Sequence, residues 1–166
     1  MPFGPRLRQR ARRIRCLFLD IDGVLTDGKL YLGSGGEEIK TNYVRDGYGI
    51  KQLLKAGLHV AVISGRPSEA MRQRLQFLGV TEIVLDTEDK LPAYERICVK
   101  LGLLDEECAV MGDDAPDVPL MQRAGLALTV ANAHPTARKA ADWVSRHPGG
   151  EGAVREACDL LLDARD

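Results

Sequence analysis

Short apolar runs alternate with segments of helical period along this chain, and that alternation limits the fold more than any other feature. The apolar runs are Cys16–Leu19, His59–Ile63, Ile83–Leu85, Ala109–Met111, Leu126–Val130 and Trp143–Val144. Between them, Ile50, Leu53 and Leu54 form one helical stripe, and Met71, Leu75 and Leu78 a second. Leu91, Tyr94, Ile97, Cys98 and Leu101 form a third. Near the C-terminus, Val154, Ala157, Cys158, Leu161 and Leu162 follow i, i+3, i+4, i+7, i+8 spacing. The alternation predicts an α/β fold with a doubly wound, mostly parallel sheet covered by helices on both faces. One segment breaks the rhythm. Leu30–Leu32 and Glu38–Thr41 flank Gly33-Ser34-Gly35-Gly36, which predicts a β-hairpin inserted after the first strand.

At 166 residues the chain suits one domain. Residues 1–13 read as a basic lead-in, about 29–43 as the hairpin insertion, and about 146–166 as a glycine-rich segment with a closing helix. The 23 Lys and Arg against 24 Asp and Glu create no global field that would attract nucleic acid. Six arginines crowd between Arg6 and Arg15, but no aromatic residue is interleaved to stack bases. A solvated, partly helical lead-in is the favoured reading over a nucleic-acid arm. No apolar run is long enough to span a membrane, and no signal-peptide core follows Met1, so a cytoplasmic location is expected. Cys16, Cys98, Cys108 and Cys158 lack CxxC spacing and read as reduced, buried residues.

The polar residues at the strand ends carry the chemistry. Asp20-Ile21-Asp22-Gly23 follows the first strand, and Ser64-Gly65-Arg66 follows the second. Lys90 opens the helix after the third, and Gly112-Asp113-Asp114 ends the fourth, with Asp117 shortly after. In a parallel sheet these positions share one edge, outside the carboxyl ends of the strands. Clustered carboxylates repel one another and call for a cation. Oxygen ligands without His or Cys favour Mg²⁺. A hydroxyl and an ammonium beside such an ion suit a phosphoryl group, and a carboxylate can serve as its nucleophile. His59 opens a strand and reads as structural, His134 suits a helix cap or an approach to the site, and His147 falls in a loop. None has metal-ligand spacing.

These motifs resemble those of the haloacid dehalogenase superfamily of phosphohydrolases, and within it the small 3-deoxy-D-manno-octulosonate 8-phosphate phosphatases. The resemblance runs from Ile14 nearly to the C-terminus. It includes residues 20–28, Val44-Arg45-Asp46-Gly47-Tyr48-Gly49-Ile50, residues 63–66, Asp89-Lys90-Leu91, residues 131–135 and 149–156. It implies a Rossmann-like fold without a cap domain and a Mg²⁺-dependent phosphatase of a sugar-acid phosphate in lipopolysaccharide sugar biosynthesis. It implies that Asp20 is the nucleophile and Asp22 the general acid and base. Asp20, Asp113 and the main-chain carbonyl of Asp22 would hold the metal, while Ser64 and Lys90 would bind phosphate. Arg66 becomes the first candidate for the sugar carboxylate, with Arg155 and Arg45 as further substrate contacts; Asp46 also suits a helix cap. Asp114 and Asp117 would support the metal, or Asp117 would cap a helix. The resemblance also implies a homotetramer in which hairpins meet and the C-terminal segment reaches a neighbouring site.

Leu85-Asp86-Thr87-Glu88 departs from the Gln-Gly pair usual before the lysine. A phosphatase of a nine-carbon keto-deoxy sugar acid 9-phosphate is the alternative substrate reading. A receiver-like signalling module also gathers acids, a hydroxyl and a lysine around Mg²⁺, but it carries its phospho-acceptor on a middle strand. Here the middle strand ends in Ser64 and the acidic pair lies on the first, which disfavours that reading.

Overall fold

The computed structural model describes residues 4–166, so the first three residues of the basic lead-in lie outside the described residues. Helix α1 (Pro5–Arg13) leads into β1 (Cys16–Leu19), followed by the hairpin strands β2 (Tyr31–Leu32) and β3 (Glu38–Ile39). Next come α2 (Val44–Lys55), β4 (His59–Ile63), α3 (Glu69–Leu78), β5 (Glu82–Val84) and α4 (Leu91–Leu101). The chain closes with β6 (Cys108–Gly112), α5 (Val118–Arg123), β7 (Leu126–Thr129), α6 (Pro135–Ala140), β8 (Trp143–Val144) and α7 (Ala153–Asp163).

Six strands form one sheet in the order β5-β4-β1-β6-β7-β8. Every pairing within it is parallel; the antiparallel pair is the separate hairpin. β1, β6 and β7 are buried along their whole length, as expected for a sheet covered on both faces. Tyr94 and Phe18 lie in the core with ring centroids 4.7 Å apart. All four cysteines are free and buried.

The local signals act as their chemistry dictates. Ser68 caps α3 by accepting from the Met71 amide at 3.3 Å, and the helix stops at Gly79, which takes the left-handed conformation. The arginine-rich lead-in is helical and docked. Arg10 makes a two-pronged ion pair with Asp142, at 2.6 and 2.7 Å, and its Nε donates to the Gly125 carbonyl at 2.8 Å. The hairpin strands are shorter than their sequence suggests and both are exposed; the turn between them is closed by Gly33 N–H on the Glu37 carbonyl at 2.9 Å.

Chain order and strand order together locate the site. From β1 the chain moves outward through β4 and β5, then returns to the other side of β1 for β6, β7 and β8. The reversal leaves a crevice at the carboxyl ends of β1 and its neighbours, where ligands bind in open α/β sheets.

Candidate active site

Register sets the first distances. Leu19 pairs with Val62 on one side and Met111 on the other. Asp20 is therefore level with Ile63 and Gly112, and Ser64 and Asp113 follow one residue further along. Asp20 is anchored by its own N–H, which donates to the Met111 carbonyl at 3.2 Å, and its Oδ1 accepts from Ile21 N–H at 2.7 Å. A cleft of about 530 Å³ opens over this edge, lined by Asp20, Asp22, Ser64, Arg66, Lys90 and Asp113.

The turn after β1 is wound tightly around Thr26, which is fully buried; its hydroxyl accepts from Gly23 N–H at 3.2 Å and Gly28 N–H at 3.1 Å. Gly23 takes φ +88°, and a side chain there would run into the Asp113 carboxylate. Gly149 backs the same turn: a methyl group on it would collide with the Gly23 carbonyl oxygen. The glycine-rich segment before α7 thus supports the turn that carries Asp22, with Gly150 N–H donating to the Val24 carbonyl at 3.0 Å.

Lys90 reaches the cleft from the start of α4. Its Nζ lies 3.0 Å from Asp20 Oδ1 and 2.6 Å from Asp117 Oδ1, with a side chain only 4% exposed. Burial alone would push this ammonium down; Asp20 and Asp117 outweigh burial and hold it above its ordinary value. Asp117 occupies the N-cap position of α5 without capping it. It grips the loop after β6 instead, its Oδ2 accepting from Asp113 N–H at 3.0 Å and Asp114 N–H at 3.4 Å. Asp114 turns outward, with its Oδ1 accepting from Ala115 N–H at 2.7 Å.

Carboxylate oxygens of Asp20, Asp113 and Asp117 come within 4.8 Å of one another. Burial, reinforced by the charge of Asp117, pushes the Asp20 carboxyl well above the usual range, and Lys90 only partly offsets this. Burial, then the charges of Asp117 and Asp114, raise the Asp113 carboxyl to about 7. Three crowded acids facing one lysine form an all-oxygen donor set short of positive charge, which fits a hard divalent cation.

The Asp22 carboxylate lies outside this cluster and faces the hairpin. Its Oδ1 is 2.8 Å from Lys40 Nζ. Glu38, on the same arm, holds Arg66 at 2.8 Å. Arg66 stands at the mouth of the cleft, as its place after Ser64 predicts, and its N–H donates to Ser64 Oγ at 3.3 Å. Lys40 and Glu38 were not among the residues that sequence singled out. Asp86, in the segment that departs from the usual Gln-Gly pair, holds φ +59°, a conformation that suits glycine better.

Two substrate candidates fall elsewhere. Arg45 and Arg155 line a separate cavity of about 150 Å³ with Tyr43 and His147, not the cleft over Asp20. The Arg155 guanidinium is engaged by Asp159 one helical turn on, at 2.8 Å, and lies over the Tyr48 ring at 4.9 Å. Arg45 lies over the Tyr43 ring at 5.9 Å. Asp46 sits inside the first turn of α2 and caps a different helix, its Oδ1 accepting from Arg155 N–H at the start of α7 at 2.8 Å. Burial raises its carboxyl to about 6. His134 takes the cap role, accepting from Thr136 N–H at the start of α6.

The parallel sheet, the paired acids after β1, and the serine, lysine and second acidic loop on successive strand ends define a phosphohydrolase site of the haloacid dehalogenase type. The haloacid dehalogenase-like hydrolase family matches residues 78–156. Over 164 residues, the chain is 46% identical to the 3-deoxy-D-manno-octulosonate 8-phosphate phosphatase KdsC of Escherichia coli K12, covering 99% of this chain and 87% of that protein. The chain belongs to this KdsC family of haloacid dehalogenase-like hydrolases. The Yersinia pestis 3-deoxy-D-manno-octulosonate 8-phosphate phosphatase superposes with a TM-score of 0.97 at 44% identity, covering 99% of this chain and 89% of that one. The Moraxella catarrhalis enzyme, solved with a magnesium ion, a phosphate ion and a KDO molecule, superposes with a TM-score of 0.95 at 37% identity, covering 98% and 94% of the two chains.

Proposed function

We propose that this protein hydrolyses 3-deoxy-D-manno-octulosonate 8-phosphate to the free sugar acid and phosphate, with Mg²⁺ as cofactor, in lipopolysaccharide sugar biosynthesis. The observation that carries this reading is the gathering of Asp20, Asp22, Ser64, Lys90 and Asp113 in one cleft, in a chain 46% identical over nearly its whole length to a phosphatase of that substrate.

In the proposed reaction, an Asp20 carboxylate oxygen attacks phosphorus while the bond to the sugar oxygen breaks. Asp22, protonated at this stage, gives its proton to the departing oxygen. The product of this half-reaction is an aspartyl-phosphate on Asp20 and the free sugar acid. Asp22, now a carboxylate, takes a proton from a water molecule that attacks the phosphorus, which restores Asp20 and releases inorganic phosphate. Ser64 and Lys90 hold the non-bridging oxygens, and Lys90 also offsets part of the negative charge around Asp20. Asp20, Asp113 and the main-chain carbonyl of Asp22 would hold Mg²⁺, with Asp117 bracing the loop. When bound, the ion neutralises the transferring phosphoryl group against these carboxylates. Arg66 recognises the sugar carboxylate at the cleft mouth.

The protein is further proposed to act in the cytoplasm as a homotetramer. Its free, buried cysteines support a reducing compartment, and no helix among the described residues is long and apolar enough to cross a membrane. Tyr31, Leu32 and Ile39 are 42%, 71% and 59% exposed on a two-stranded hairpin. Such a hairpin is marginal alone and gains stability by packing on copies of itself.

The test is a phosphate-release assay with Mg²⁺ on the eight-carbon and nine-carbon sugar-acid phosphates, with light scattering on the same sample. The expected result is a higher kcat/KM for the eight-carbon substrate and a mass four times the 18.2 kDa chain. A higher kcat/KM for the nine-carbon 9-phosphate would overturn the substrate assignment.

A further inference from the structure

Each acid of the Asp20-x-Asp22 pair has its own lysine. Lys90, carried by the core, pairs with Asp20 at 3.0 Å. Lys40, carried by the returning arm of the hairpin, lies 2.8 Å from Asp22 Oδ1 and 3.1 Å from Oδ2. Both lysine side chains are only 4% exposed. A lysine on a short exposed hairpin ordinarily keeps its ammonium in water; this one gives up that hydration to face both oxygens of a single carboxylate. Glu38 holds it from behind at 3.5 Å and links it to Arg66 at 2.8 Å. The contacts form a chain from Asp22 through Lys40 and Glu38 to Arg66.

We propose that Lys40 is the positioning residue for proton transfer by Asp22, so that the hairpin supplies part of the reaction machinery. This deepens the phosphatase reading and rests on the assignment of Asp22 as general acid. The hydrogen bond from Lys40 to Oδ2, with the ammonium 2.8 Å from Oδ1, fixes the rotation of the Asp22 carboxyl group, while Oδ1 accepts no hydrogen bond among the described residues. A carboxyl group held in one rotation presents its proton to the departing oxygen along one line, which is the geometric condition for efficient transfer.

The leaving group provides the test. An alkoxide must be protonated as it departs, whereas p-nitrophenolate leaves without a proton. The quantity kcat/KM reports only steps up to leaving-group departure, so hydrolysis of the aspartyl-phosphate does not enter it. Lys40→Met and Lys40→Arg are measured on 3-deoxy-D-manno-octulosonate 8-phosphate and on p-nitrophenyl phosphate. For Lys40→Met the ratio of alkyl to aryl kcat/KM is expected to fall about 10–100-fold, a part of the roughly 10²–10⁴-fold that general acid catalysis supplies, because the acid itself remains. Lys40→Arg, which keeps a cation, is expected to recover most of that ratio. Inhibition by inorganic phosphate, which depends on Ser64 and Lys90, is expected to persist in Lys40→Met and to report an assembled site.

An equal loss on both substrates, or loss of phosphate inhibition, would overturn the proposal and give Lys40 a structural role. A rise in KM at unchanged kcat would also overturn it and make Lys40 a sugar contact. If the wild-type protein does not hydrolyse the eight-carbon phosphate, the substrate assignment fails separately. The Lys40 comparison then runs on whichever alkyl phosphomonoester the wild type turns over.

Discussion

Lys90 is the residue whose loss should be felt most. Its ammonium is the counter-charge that Asp20 and Asp117 share, at 3.0 and 2.6 Å, and the three side chains are 4%, 11% and 5% exposed. Lys90→Met keeps the apolar stem and leaves two buried carboxylates facing each other without a cation. Removing one partner from a buried ionic cluster costs about 3–5 kcal/mol. A protein of this length loses about 2–4 °C in Tm per kcal/mol, so the metal-free variant should melt roughly 6–20 °C below the wild type at pH 8. The Lys90 ammonium is held above its ordinary value, so its contribution is complete below the unfolded value near 10.5 and disappears only in strong alkali. Any change in the gap between pH 5 and 8 therefore comes from the carboxyls. Burial and the charge of Asp117 already raise the Asp20 carboxyl. Without the lysine it takes up a proton more readily, so the gap should shrink on going from pH 8 to pH 5. Saturating Mg²⁺ should narrow it too, by replacing part of the missing charge. Thermal melts with EDTA and with Mg²⁺ at the two pH values measure all three effects. A gap below about 2 °C at pH 8 without metal, or one unchanged at pH 5, would refute the view of Lys90 as a buried counter-ion.

Asp20→Asn should reduce phosphate release to below about a thousandth of wild type while the protein stays folded by circular dichroism; retention of a tenth of the activity would refute the nucleophile assignment. The Asp113 carboxyl is raised from its ordinary 3.8 to about 7, so the metal-free fold holds a proton there that the unfolded chain has already released. Stability without metal should therefore fall as pH rises through that window, and Mg²⁺ affinity should rise over it. Asp113→Asn should flatten the first dependence in urea titrations. Gly149→Ala drives a methyl group against the Gly23 carbonyl; it should cost about 1–3 kcal/mol in urea unfolding and lower kcat by displacing the turn that carries Asp22.

The strands and the chemistry at their ends were legible because both depend on local pattern. Cys16–Leu19 and His59–Ile63 match the structure to the residue, since a parallel strand covered on both faces reads as a near-continuous apolar run. Asp20, Ser64 and Asp113 follow from strand ends alone, because parallel strands bring all their carboxyl ends to one edge, and Lys90 from its place at the start of the helix after β5. Arg45 and Arg155 lie away from the cleft over Asp20 for the opposite reason. Their motifs mark the neighbourhood, but a helix turn directs the Arg155 guanidinium to Asp159 and the Tyr48 ring. Asp46 was readable as a cap, but not as the cap of a helix more than a hundred residues away.

What the sequence by itself determined was the alternation of strand and helix, the site edge, and the identity of the acids and of the serine and lysine on that edge. Each of these depends on periodicity or on which residue ends a strand. Only the tertiary structure decided who pairs with whom. Lys40 lies eighteen residues beyond Asp22 on an exposed hairpin, and no periodicity links the two. Their contact exists because the hairpin folds back over the sheet edge. Asp117 likewise reads as a helix start, yet it clasps Lys90 and the Asp113 amide. Burying like charges close together leaves each dependent on a particular partner, and those partners are chosen by geometry across the fold rather than by spacing along the chain.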